Sequence, residues 1–197
     1  MRHLHPLLLL LAASLISGCG GLLPEPAESP RVIDLGPGSD PNDDAEAIAA
    51  ITLARVDAPR WLDDTAIHYR RLDHDPNTLE RYAQHVWAAP PAELIAAEAE
   101  AMLRARGGRD GPPQARLELR LTRFEQVFES AEAAYVDARV SAVLIPRGNG
   151  ATRQREFRAR LDTRADVDGA VDALPRAAHE IIGDMGDWLA REHPPGD

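Results

Sequence analysis

Three segments in the second half of the chain alternate strictly between apolar and polar residues. Leu117, Leu119 and Leu121 are interleaved with Arg116, Glu118 and Arg120. Val136, Ala138, Val140, Ala142 and Leu144 are interleaved with Asp137, Arg139 and Ser141. Phe157, Ala159 and Leu161 are interleaved with Glu156, Arg158, Arg160 and Asp162. Successive side chains of a strand point to opposite faces, so a period of two means a sheet with one buried and one wet face. Polar turns near Ser130 and over residues 147–150 predict an antiparallel meander. The charges of the wet face can pair across strands, which contributes little per pair in water. They read either as a solvated face or as a docking surface for a protein partner.

The end of the chain has a different period. Val167, Val171, Leu174, Ala178, Ile181, Met185 and Trp188 step by three or four and so share one face of a helix. Pro175 falls in its middle, where a kink or a restart is expected. Pro90 and Pro91 open another helix, with Leu94, Ile95, Ala99, Met102 and Leu103 as its stripe and Gly107–Gly108 as its end. Residues 31–35, 48–56, 66–70 and 79–87 are strand candidates, the last two joined as a hairpin through the polar turn at 73–77. The strand around His68, the helix after Pro91 and the strand from Arg116 form a strand–helix–strand unit, right-handed if those strands are parallel neighbours. The expected fold class is α/β, a mixed, largely antiparallel sheet flanked by long helices.

The N-terminus is of another kind. Arg2 precedes an apolar run over residues 7–16, broken only by Ser14, and Ser17-Gly18 lead to Cys19, the single cysteine of the chain. This is a secretory signal layout, with an apolar core too short to span a bilayer. A sole cysteine at the cleavage point resembles a bacterial lipoprotein signal, in which the thiol is acylated (commonly with palmitate) and becomes the first residue of the mature chain. Residues 1–18 are therefore expected to be signal peptide. Residues 19–30, rich in Gly, Pro and Glu, are expected to be acylated Cys19 and a flexible tether, and 31–197 a single periplasmic domain. Extended at about 3.1 Å per residue, the tether reaches roughly 30 Å. More than one acyl chain gives stable attachment. Gly20, rather than Asp, after the cysteine favours the inner leaflet of the outer membrane by analogy with enterobacterial sorting. An acylated Cys19 leaves no thiol, so the fold stands without disulfides.

The net charge of −10 argues against nucleic acid, and against a body lying flat on anionic lipid. Asp40, Asn42, Asp43 and Asp44 lack the glycine and distal Glu of a calcium loop. No phosphate-binding glycine loop and no nucleophile elbow is present. His68, His74, His85, His179 and His193 have no helical spacing or HExxH frame. A regular hairpin would set His68 opposite His85 near Asp73 or Asp75, which reads as a metal frame or as two polar strand residues. Carboxylates are scattered over expected wet faces, so no acid/base pair can be chosen. Neither enzyme activity nor a metal or other cofactor is expected. Trp61, Tyr69 and Trp87 read as core packing or as the anchors of a protein interface.

At these residues the chain resembles the ABC-type transport auxiliary lipoproteins, a family that includes the lipoprotein of the paraquat-inducible Pqi system. The resemblance runs through Asp57-Ala-Pro-Arg-Trp-Leu62, Ala66-Ile-His-Tyr-Arg70 and His85-Val-Trp-Ala-Ala-Pro-Pro91. It covers nearly all of the chain after the signal. Val86 and Ala89 depart from it, standing where the family often has Arg and Glu. The resemblance implies a fold like the amino-terminal domain of TolB. It also implies an outer-membrane-anchored periplasmic component of a lipid transport system, working by docking rather than catalysis. Its partners would be a mammalian-cell-entry (MCE) domain protein, the associated ABC transporter or permease, and other copies of itself around a conduit. Trp61, Tyr69, Arg70 and Trp87 are the residues of these motifs expected to lie in the core or to touch a partner. The alternative is a TolB-like envelope scaffold lipoprotein with no part in lipid traffic.

Overall fold

The computed structural model describes residues 29–38, 45–107 and 112–194. The signal, Cys19, the tether up to residue 28 and residues 39–44 lie outside them.

Seven strands form one sheet. They are β1 (Arg31–Ile33), β2 (Ile51–Asp57), β3 (Ala66–Arg71), β4 (Asp75–Trp87), β5 (Ala115–Phe128), β6 (Ala134–Pro146) and β7 (Arg153–Thr163). Helix α1 (Pro91–Arg106) follows β4, and α2 (Val167–Glu192) ends the chain. The spatial order is β1-β4-β3-β5-β6-β7, with β2 also beside β5. β3–β4, β5–β6 and β6–β7 are antiparallel, whereas β1–β4, β2–β5 and β3–β5 are parallel. The meander is as the residues predict, and β3 and β5 are parallel neighbours, the condition that the strand–helix–strand reading left open. Gly148, with φ of 90°, makes the β6–β7 turn.

One edge of β5 serves two strands in succession. β2 pairs with residues 115–120 and β3 with residues 125–128. Between them the chain leaves the sheet through a 3-10 turn, Arg60–Leu62, whose Leu62 is fully buried and donates its N–H to the Pro59 carbonyl at 2.8 Å. Opposite this gap β5 carries a bulge between Leu121 and Arg123. A bulge inserts one residue and exchanges the two faces of the strand beyond it. Leu117, Leu119 and Leu121 face the core before it, and Phe124 and Gln126 after it. Arg123, Glu125 and Val127 consequently share the opposite face with Glu118 and Arg120.

Both helices lie on the same face of the sheet. α2 covers β5, β6 and β7, and α1 covers β2 and touches α2. The core between the layers holds Ile95 and Met102 of α1, Leu174, Ile181 and Met185 of α2, and the inward leucines and alanines of β5 and β6. The buried Gly186 lets Arg106 cross close to α2, where it pairs with Asp187 at 2.6 Å. α2 starts at Asp166, whose carboxylate accepts from the Gly169 N–H at 2.7 Å, an N-cap worth about 1 kcal/mol. The restart expected at Pro175 does not occur, and α2 is continuous from Val167 to Glu192. The buried stripe continues on both sides of the proline, so packing outweighs one lost backbone hydrogen bond. The Arg176 side chain also donates to the Asp172 carbonyl in that turn.

Candidate functional site

The helix-free face of the sheet is where charge gathers. Registers place Arg123, Arg139 and Arg158 side by side across β5, β6 and β7. One row along lie Glu125, Asp137 and Arg160, with His68 of β3 beside Glu125. Arg116, Arg120 and Glu118 of β5, Arg55 and Asp57 of β2, Arg70 of β3 and Glu156 and Asp162 of β7 share the same face. Arginines outnumber carboxylates here, although the whole chain carries a net charge of −10.

Two of the carboxylates lie beneath the arginines. Glu125 is fully buried and Asp137 is 6% exposed. Glu125 accepts from Arg123 at 2.8 Å and from Arg70 at 3.2 and 3.4 Å. Asp137 accepts a two-pronged contact from Arg139, both bonds 2.8 Å, and lies 3.8 Å from Arg123. Contact with Asp137 pushes the Arg139 guanidinium further towards its charged form. Arg160 stacks 3.5 Å over the Tyr135 ring and pairs with Glu129 at 2.8 Å. Arg70, Arg123 and Arg139 are thus held on buried carboxylates, and Arg160 on Tyr135 and Glu129.

A second feature lies where α2 begins. Tyr69, Tyr82 and Phe128 face one another, with ring centroids 4.6 Å apart for the tyrosine pair and 5.6 Å for Tyr69 and Phe128. With Arg71, Ala131, Ala165 and Asp166 they line a cleft of about 340 Å³. The Tyr82 hydroxyl donates to the Gln126 side chain, which in turn donates to the Arg164 and Asp166 carbonyls. This buried glutamine ties strand, helix start and cleft together. Burial raises the Tyr82 pKa, and burial with the Glu80 contact raises that of Tyr69, so both phenols stay neutral donors.

The residues singled out in the sequence do not converge. Trp87 is 1% exposed and packs on Phe124 with ring centroids 5.4 Å apart, deep between sheet and helices. Trp61 is half-buried and lies edge-on to His68 at 5.7 Å. Tyr69 lines the cleft and donates to Glu80 at 2.8 Å. Arg70 points to the other face and holds Glu125. His68 does not face His85. The register shifts between Ala66 and His68, which sets His68 against Arg81, while His85 pairs with Arg31 of β1. The hairpin therefore does not bring the two histidines together, and no group of metal-ligating side chains occurs among the described residues. Tyr82, Phe128, Arg71 and the Glu125–Asp137 pair escaped the sequence reading. Only the aromatic spacing of Phe124 and Phe128, out of step with the leucines before them, marks that part of β5.

Residues 34–186 match the model of the ABC-type transport auxiliary lipoprotein component. The chain belongs to that family. It is thereby a transport-associated lipoprotein. In fold it is similar to protein XCC0632 from Xanthomonas campestris, of the DUF330 family, at a TM-score of 0.64 and 17% identity over 81% of this chain and 91% of the other. It is also similar to an uncharacterized protein at a TM-score of 0.57 and 16% identity, over 82% and 99% of the two chains. No curated relative matches the chain. The mixed sheet with its helices is the fold that these neighbours share with it.

Proposed function

We propose that this auxiliary lipoprotein is anchored through acylated Cys19 at the inner leaflet of the outer membrane. Its domain stands in the periplasm and docks the MCE-domain protein of an intermembrane lipid transport system. The observation that carries the reading is the family match over residues 34–186, joined to a lipoprotein signal ending at the only cysteine. The transporter side of such a system, an ABC transporter or related permease, acts from the inner membrane, so a component at the far membrane works by holding the conduit. Binding rather than catalysis fits a site built from ion-paired arginines and neutral phenols. The aromatic cleft of Tyr69, Tyr82 and Phe128, with the Arg71 cation beside it, has the composition of an interface anchor point. Its volume suits a side chain or two of a partner.

Affinity capture of the acylated protein from solubilised envelopes should recover an MCE-domain protein. The capture should weaken at least tenfold in Phe128→Ser, with the melting temperature measured in parallel to separate binding from folding. Recovery of no MCE protein from the wild type, with envelope defects on deletion but unchanged lipid distribution, would favour the scaffold reading instead.

A further inference from the structure

Strand β4 is longer than its neighbour on the outer side. β1 pairs with residues 85–87 alone, so residues 75–84 lie beside β3 on one side and have no strand on the other among the described residues. At about 3.3 Å per residue that edge is roughly 33 Å long. An exposed edge of such length is a template for another extended segment. β1 runs parallel to β4, so a continuation of β1 before Arg31 follows this edge towards Asp75. β1 stops pairing at Arg31, beside an irregular stretch of β4 between Arg81 and Val86. Ser29 and Pro30 are exposed and outside the strand.

The tether has the residue pattern that this edge requires. The Ile33 carbonyl accepts from the Ala88 N–H at 2.7 Å, so Ile33 and Arg31 turn their backbone groups towards β4. Alternate residues of a parallel strand bond to the same neighbour, and Ser29, Ala27, Glu25 and Leu23 continue that series. Pro24, Pro26 and Pro30, all the prolines of the tether, fall on the positions between, where a missing N–H costs nothing. A proline also holds the residue before it extended, which pre-organises Leu23, Glu25 and Ser29. Charge agrees with this placement. Ile33 packs on the core, so the even-numbered residues, Glu28 among them, fall on the helix-free face. Arg81 is on that face opposite His68, exposed and without an ion pair among the described residues. We infer that residues 23–29 dock along the outer edge of β4 as an extension of β1. Only residues 19–22 then remain free, about 13 Å of extended chain. The anchor emerges at the Asp75 end of β4, beside Arg71 of the aromatic cleft. It holds that end towards the membrane. The position of the membrane rests on the lipoprotein reading of Cys19, whereas the pairing does not.

Residue-resolved hydrogen exchange of the full-length acylated protein in detergent tests it, with the mass of the N-terminal peptide read on the same sample. The Leu23, Glu25, Ala27 and Ser29 amides should exchange about tenfold or more slower than at free-chain rates, while the outward Glu28 amide exchanges freely. Ala27→Pro sets a proline where an N–H meets β4. It should release the tether and the amides of residues 77–84 that face it, with unchanged exchange in α2 as the check on folding. Arg81→Glu should weaken the same protection by repelling Glu28. Shielding by detergent around the acyl chain would slow inward and outward amides alike and would survive Ala27→Pro. Free-chain rates throughout the tether would overturn the inference, as would protection that Ala27→Pro leaves intact. Protection of the β4 edge that rises with protein concentration would give the edge to a second copy and overturn it too. An unmodified Cys19 with alternating protection intact would remove the membrane from the account and leave the pairing standing.

Discussion

Glu125 of β5 and Asp137 of β6 lie directly opposite each other, both almost without solvent. Like charges in that relation are destabilising, and a carboxylate taken out of water costs several kcal/mol unless it is paired. Three arginines resolve the conflict. Arg70 and Arg123 share Glu125, and Arg139 clamps Asp137.

The arrangement is redundant at Glu125 and should show it. Arg70→Met or Arg123→Met alone leaves one guanidinium on the carboxylate and should be mild. The double substitution strands a buried charge, which costs about 3–5 kcal/mol. Urea unfolding of the three variants should give a double-mutant loss well above the sum of the single ones.

Trp87 is a core residue by position, between β4 and the helix layer and against Phe124. Trp87→Ala should lower stability by about 3–5 kcal/mol. Thermal melts measure this. An unchanged melting temperature with lost partner binding would move the residue to an interface.

His68 gives the fold a pH dependence. Burial, the largest influence, lowers its pKa below the ordinary value of 6.5, against opposing attraction from Asp64, and its Nδ1 finds no hydrogen-bond partner. Below about pH 6.5 the unfolded chain takes up a proton that the folded chain does not, so stability falls as the pH drops. The loss levels off once the pH passes below the depressed folded value. Chemical unfolding at pH 7.5 and 5.5 should show a smaller difference for His68→Gln than for wild type.

Much of this architecture was legible in the residues. The meander over β5, β6 and β7, the proline-opened α1 and the stripe of α2 follow from uninterrupted periodicity. Reading failed where one residue breaks the period. The bulge after Leu121 exchanges the faces of β5, so continuing the leucine pattern would have buried Arg123 and exposed Phe124. The β3–β4 hairpin starts with Ala66 opposite Val86 and shifts beyond it, so His68 meets Arg81 and not His85. Pro175 predicts a kink or a restart, and the restart does not occur because the buried residues on either side of it carry the helix through. The charged face was visible as alternating polar residues, but its freedom from helices depends on both helices packing on one side, which no local pattern states. Trp87 and Trp61 looked alike in the sequence, and only the fold separates a core residue from one near the surface.

The account rests on a membrane anchor at Cys19, and mass spectrometry of the N-terminal peptide from native envelopes tests it most directly. The expected result is a mature chain beginning at Cys19, with diacylglycerol on the sulfur and an acyl group on the amine. A chain that begins elsewhere, or carries an unmodified Cys19, would contradict it.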